Sequence, residues 1–344
     1  MVTHAMRLGF PVKVMGRPEL KSNDARRWQQ GPHLDVSLGY VDQILDYLAR
    51  HDIRMYRLSS DLAPYATHPD MPQFHDMVRQ SAAGLKAIGN KAKRLDIRLS
   101  FHPSQYVVLN SPDPELVKKS AWDLLSQAEM LDLMELDDEA VLVIHVGGAY
   151  GNKPEALRRW VETFATLPEP VRRRLVLEHD DLRFSAADVL WVHEHTGVRL
   201  IFDHQHFLCL NPERQEMRPT VERILASWQG RGRPKLHFSS PRTEMRTVKR
   251  KGRDGKAKEA VLAPVWTGHA DFCHPFEFIG FMSVMEGLEF DVMLEAKAKD
   301  LALIRLRLDM VRYAPEVARR FGLGASSEDV LEAEEAALMD APES

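Results

Sequence analysis

Eight short apolar runs, at residues 8–10, 55–59, 97–101, 141–144, 175–177, 200–202, 235–238 and 292–294, are separated by longer stretches of helical character, and no other feature constrains the fold so strongly. Runs of this length read as strands, while Phe74, Met77, Val78, Leu85 and Ile88 recur at helical intervals. Asp113-Pro114 has the form of an N-cap followed by proline in the first turn, and Ser185 with Asp188 that of a capping box. Strands alternating with helices call for a parallel sheet, either closed into a barrel or open and doubly wound. Eight units can close, and no glycine-rich dinucleotide turn comes after the first run. The pattern therefore predicts an α/β protein built on a single (β/α)8 TIM barrel over residues 1–323.

Composition narrows the class. A chain of 344 residues with 44% hydrophobic and 28% charged residues is neither disordered nor collagen-like. It has no apolar run near the ~20 residues that a membrane helix needs, so no membrane partner is expected. The first 14 residues lack the layout of a secretion signal, and Cys209 and Cys273 are too few for a disulfide framework; both suit the cytoplasm. The net charge of −4 conceals an asymmetry. Residues 242–258 carry eight Lys/Arg against Glu244 and Asp254 and form a basic insertion after the seventh strand. Residues 324–344 form an acidic tail with seven acids and no base, expected as a marginal surface helix or a disordered appendage. Clustered cations suit phosphates better than a basic average does.

The residues at the end of each run are more informative than the run itself. Phe101 is succeeded by His102, Ile144 by His145, Leu177 by Glu178, Phe202 by Asp203 with His206 beyond, and Leu294 by Glu295; Leu236 lies between Lys235 and His237. His68 and His269 fall in the segments after the second and seventh strands. In a barrel these positions share the C-terminal mouth, where active sites are built. A lone histidine there is usually a hydrogen-bonded core residue, but a ring of imidazoles and carboxylates is costly to hold without cations. The expectation is a site for two or three divalent ions, and ligation by N and O alone leaves Mn, Zn, Fe and Mg open. His51, His75, His193 and His195 lie in helical stretches and are not expected to bind metal.

HPSQYVVLNS (102–111), YRLSSD (56–61), DVMLEAKAKD (291–300), PKLHFS (234–239) and LVLEHDD (175–181) together resemble the UV damage endonucleases, TIM-barrel DNA repair enzymes related in architecture to endonuclease IV and xylose isomerase. The resemblance runs from residue 7 to 321 in matching order. It implies an ATP-independent nick immediately 5′ to pyrimidine dimers and 6-4 photoproducts, with Mn2+ as the metal and Zn2+, Co2+ or Mg2+ as substitutes. Attack of a metal-activated hydroxide on phosphorus would leave a 3′-hydroxyl and a 5′-phosphate. By the same resemblance the ligands are His68, His102, His145, Glu178, Asp203, His206, His237, His269 and Glu295, with Lys235 carboxylated at the metal site. Lys235, Glu178 and His237 are the catalytic candidates. Gln105 and Tyr106 would probe the damaged duplex and Phe10 would contact displaced bases. Arg57, Ser59, Arg242, Lys249 and Arg250 would hold the DNA backbone. The partner is damaged double-stranded DNA, met by a monomer near the nucleoid. Two departures stand out: Phe10 replaces the family's usual tyrosine, and His179 its usual asparagine.

Other classes use similar residues. A sugar isomerase or epimerase would share the His/Asp/Glu ring but has little use for Gln105-Tyr106 or a basic insertion. An apurinic-site endonuclease would share nearly all the chemistry. A non-catalytic DNA-binding barrel would leave the carboxylates as a liability.

Overall fold

In the computed structural model, residues 5–251 and 257–339 are described. The barrel strands are β1 (Leu8–Pro11), β2 (Met55–Arg57), β3 (Arg98–Ser100), β4 (Leu142–His145), β5 (Leu175–Glu178), β6 (Arg199–Ile201), β7 (Lys235–Phe238) and, after the insertion, β12 (Asp291–Leu294). Strand β3 is hydrogen-bonded through β2, β1 and β12 to β7, and β4 through β5 to β6, all in parallel. Two single parallel bridges, Phe101 to Leu142 and Asp203 to His237, join the two sheets at both seams and close the ring of eight. The open-sheet alternative is thereby excluded. Gly9 is required where β1 meets β2, because a Cβ there would lie 2.5 Å from the Met55 carbonyl oxygen.

Helices surround the barrel: α1 (Leu34–Arg50), α2 (Met77–Gln80), α3 (Ala82–Arg94), α4 (Pro114–Leu133), α5 (Lys153–Thr166), α6 (Glu169–Arg174), α7 (Ala186–Thr196), α8 (His204–Cys209), α9 (Met217–Ala226), α10 (Pro275–Val284), α11 (Lys299–Tyr313), α12 (Pro315–Arg320) and α13 (Glu328–Met339). Local chemistry sets their ends. Asp113 accepts from the Glu115 N–H ahead of Pro114, and the Ser185–Asp188 capping box forms with left-handed Gly197 ending α7. At the N-terminal end of the barrel, Arg98 pairs with buried Asp291 at 2.9 Å and, with Arg199, brackets the Trp228 ring. The functional mouth is therefore the opposite end.

Two segments differ from the sequence expectation. The basic insertion is an antiparallel ribbon of β9 (Arg246–Lys251) and β10 (Ala257–Leu262), rooted on β8 (Pro241–Arg242) paired with β11 (Val265–His269); residues 252–256 lie outside the described set. Within the acidic tail, residues 328–339 are a docked helix, α13 on α11. Leu331 and Leu338 are buried, and Arg305, Arg312 and His51 receive Glu335, Glu328 with Glu332, and Glu334. The sparse apolar residues, spaced seven apart, suffice because the acids find Arg305, Arg312 and the His51 ring on the surface beneath them.

Candidate metal centre

Most barrel strands deliver a polar side chain to the mouth near their last residue. His145 and Glu178 end β4 and β5, His102 and Glu295 follow β3 and β12, and Asp203 caps α8 immediately after β6, its Oδ1 accepting from the His206 N–H at 2.7 Å. His237 lies inside β7, two residues from Lys235, so both face the barrel interior and both are fully buried.

The ligand atoms form three overlapping groups, each with its members within 4.8 Å of one another: His102, His145 and Glu178; Glu178, Asp203 and His206; Asp203, His237 and Glu295. Glu178 and Asp203 each belong to two groups, which makes the cluster continuous. His237 Nδ1 donates to Glu178 Oε1 at 2.9 Å, while His102 Nε2 and His206 Nδ1 lie 3.4 Å from its carboxylate oxygens. Backbone acceptors orient the rings: His102 Nδ1 is engaged by the Pro103 carbonyl (3.1 Å) and His206 Nδ1 by that of His179 (3.0 Å). A ring whose Nδ1 is engaged in this way has Nε2 left to offer a metal once that nitrogen is deprotonated.

Electrostatics point the same way. Burial alone would raise the Glu178 carboxyl, but His237, His145, His102 and His206 hold it well below its usual range. Glu295 is likewise desolvated, yet Arg57 and His237 hold it low. His206 is pulled down by burial, but Asp203, Glu178 and Glu295 push it up to about 11, so the carboxylates demand a positive charge at this point. Burial, with Arg98 and Arg57 nearby, drives Lys235 well below an ordinary lysine; its Nζ donates to the Ser100 hydroxyl at 3.2 Å. A neutral, buried amine is the form that can be carboxylated.

The cluster fits divalent cations on its own chemistry. Glu178 Oε2, Asp203 Oδ2, His237 Nε2 and His145 Nδ1 are buried without a hydrogen-bond partner. Orphaned buried atoms of this kind are rare, and their convergence on one mouth is what multivalent ligation by N and O requires.

The remaining expected residues are dispersed. His269 ends β11 with Nε2 3.8 Å from Glu295. His68 belongs to no three-residue group among the described residues; it lines a neighbouring cleft with Ser104 and Asp123, its Nδ1 accepting from the Asp70 N–H. Gln105 and Tyr106 are exposed on the loop that His102 begins, Tyr106 at 75%. Lys249 and Arg250 are exposed on the ribbon and Arg242 is half-buried at its root.

Two expected DNA contacts are corrected, and a third is paired within the site. Phe10 is fully buried on β1, packed edge-on against Tyr56 of the neighbouring β2, so it offers displaced bases no exposed face. Ser59 is buried, and its hydroxyl is engaged by Asn23 and the Asp61 N–H. Arg57 reaches the mouth and is bound there to Glu295 Oε1 at 2.5 Å.

Several residues of the site had no visible signature. His179 is buried and kept neutral, lowered to about 3 by burial and His206; its Nε2 accepts from the Asp203 N–H and its carbonyl orients His206. Asp300 accepts from the Met15 and Gly16 N–H groups and the Tyr47 hydroxyl, anchoring the loop after β1. The DVMLEAKAKD motif contained this aspartate without indicating its partners.

A closed parallel barrel whose C-terminal mouth gathers a contiguous His/Asp/Glu cluster defines a protein of the TIM-barrel class with residues at its mouth that could hold metal. The chain belongs to the UV-endonuclease UvdE family, whose profile matches residues 36–320. The UV DNA damage endonuclease of Bacillus velezensis is 34% identical over 268 residues, 76% of either chain. That of Bacillus cereus strain G9842 is 32% identical over 313 residues, 89% of this chain and 92% of its own. The crystal structure of SacUVDE superposes with a TM-score of 0.71 at 30% identity, covering 86% of this chain and 95% of that one. The structure of L-ribulose 3-epimerase matches at a TM-score of 0.51 and 14% identity over 99% of this chain and all of its own, a likeness of fold alone.

Proposed function

We propose that this endonuclease nicks double-stranded DNA immediately 5′ to UV photoproducts, pyrimidine dimers and 6-4 photoproducts alike, without ATP. The observation that carries the reading is a juxtaposition: exposed Tyr106 and Gln105 stand on the same short loop as His102, at the rim of the cluster. A dimer weakens stacking, so extruding it costs less than extruding intact bases. The Tyr106 ring can fill the gap and Gln105 can hydrogen-bond a base edge. Lys249, Arg250 and Arg242 hold flanking phosphates, and binding weakens as salt rises.

Two or three divalent ions, Mn2+ by family resemblance, would be held by His102, His145, Glu178, Asp203, His206, His237 and Glu295, with His269 and His68 at the margins. When bound they lower the pKa of water and stabilise charge on the phosphate oxygens. Glu178 and Asp203 span neighbouring groups as shared carboxylates, Arg57 fixes Glu295, and His179 fixes Asp203. Lys235, once carboxylated, adds an anionic ligand from below. A water oxygen bonds to phosphorus as the bond to O3′ breaks, giving a 3′-hydroxyl and a 5′-phosphate. We assign the enzyme to the cytoplasm, at the nucleoid, as a monomer.

The test is nicking of supercoiled plasmid, irradiated or not, with Mn2+ or EDTA. Nicking of irradiated DNA only, and only with metal, is expected, and Tyr106→Ala should lower it ~5–150-fold, as loss of ~1–3 kcal/mol of stacking implies, with stability within ~0.5 kcal/mol. No nicking of irradiated DNA by folded, metal-loaded protein rejects the reading. Abasic duplex and free or phosphorylated sugars then separate the apurinic and isomerase alternatives.

A further inference from the structure

We propose that Gln205 and Ser239 set the tautomer of His269, so that its Nε2 presents a bare lone pair beside Glu295. The inference rests on reading His269 as a metal ligand. Gln205 is buried in the first turn of α8, and its Nε2 donates to the carbonyls of Trp266 (2.9 Å) and Gly268 (3.2 Å). The reverse orientation would set Oε1 against two carbonyl oxygens, so the amide has a single workable orientation. Gln205 Oε1 must then accept, and its partner at 2.5 Å is the Ser239 hydroxyl, which must donate. A hydroxyl has one proton. With that proton committed, Ser239 Oγ can only accept from His269 Nδ1, 2.7 Å away.

In its neutral form His269 is therefore the Nδ1–H tautomer, and Nε2 faces Glu295 Oε2 across 3.8 Å. Two acceptors opposed at that distance call for a cation between them. The same amide holds the backbone of β11, so the root of the basic ribbon and the orientation of His269 depend on one side chain. Gln205 and Ser239 are positioning residues: neither is a ligand, and each acts through His269.

The tautomer is readable in the metal-free protein by 15N NMR with labelled histidine, the His269 signals being assigned by their loss in His269→Gln. A protonated Nδ1 and a bare Nε2 are expected in the wild type. Ser239→Ala and Gln205→Ala should each shift His269 toward Nε2–H and weaken Mn2+ binding, measured by calorimetry, by ~10–100-fold, the usual effect of losing a partner behind a ligand. Nicking should return at raised Mn2+. An Nε2–H tautomer in the wild type overturns the proposal, as do two variants with unchanged tautomer and Mn2+ affinity; if both variants fail to fold, the wild-type spectrum decides. A wild type with protonated Nδ1 and no activity on irradiated DNA would reject the nuclease reading and leave this one standing.

Discussion

Glu178→Gln is the substitution that most directly tests the shared-carboxylate reading. Glu178 is 1% exposed and belongs to two of the three ligand groups, whereas His102 belongs to one. Glutamine keeps the shape but replaces one acceptor oxygen with an NH2 that cannot ligate. At a hundredfold excess over its Kd, metal stabilises the native state by about 2.7 kcal/mol. For 344 residues at ~2.1 cal/mol/K each, a kcal/mol moves Tm by about 1.4 °C, so that is a rise of roughly 4 °C for the wild type. Glu178→Gln should reduce the metal-induced rise to about 2 °C or less, and His102→Gln should keep part of it, by the same conversion. Without metal, Glu178→Gln should lie within ~1–2 kcal/mol of the wild type. The desolvation cost of the carboxylate disappears together with its attractions, and the surrounding imidazoles can shed protons. Calorimetric melts after EDTA treatment, repeated across a MnCl2 titration, provide the comparison. A variant that keeps the full metal-induced rise would refute the shared-carboxylate reading.

Three further outcomes are expected. Lys235→Arg puts a permanent charge in a fully buried site beside Arg57 and Arg98 and should cost about 3–5 kcal/mol in urea unfolding, while Lys235→Met should cost under ~1.5 kcal/mol; equal losses would show that charge is not the issue. Truncation after Ser327 exposes the apolar surface that Leu331 and Leu338 cover and should lower stability by about 2–4 kcal/mol, and unchanged unfolding would mean that α13 adds nothing. His206, raised to about 11, is protonated in the metal-free protein at pH 7–8 but must be neutral to ligate. Mn2+ binding should therefore release ~1 proton, seen as a dependence of calorimetric enthalpy on buffer ionisation, and affinity should fall as pH drops; binding without proton release would contradict that assignment.

The ligand cluster was legible because a barrel converts one-dimensional order into position. A residue just past a parallel strand has nowhere to go but the C-terminal mouth, so His102, His145, Glu178, Asp203 and Glu295 could be read from the ends of apolar runs. The surroundings of Phe10 and Arg57 were not legible, for the opposite reason. Both are near the mouth in sequence, but burial and pairing depend on which neighbours the closed ring brings: Tyr56 for one, Glu295 for the other. For the acidic tail the sequence left a surface helix and a disordered appendage open, and the choice depended on Arg305 and Arg312 of α11, which only the fold brings against it.

Strand number, helix caps, the order of the ligands and the basic character of the ribbon follow from local spacing and composition, which the chain carries wherever it is. Closure of the ring, the overlap of the three groups through Glu178 and Asp203, and the relay from Gln205 through Ser239 to His269 were decided only in three dimensions. Such contacts join uncharged or isolated polar residues tens of positions apart. Their hydrogen bonds have direction but no period, so they leave no trace in the sequence until folding brings donor and acceptor within reach.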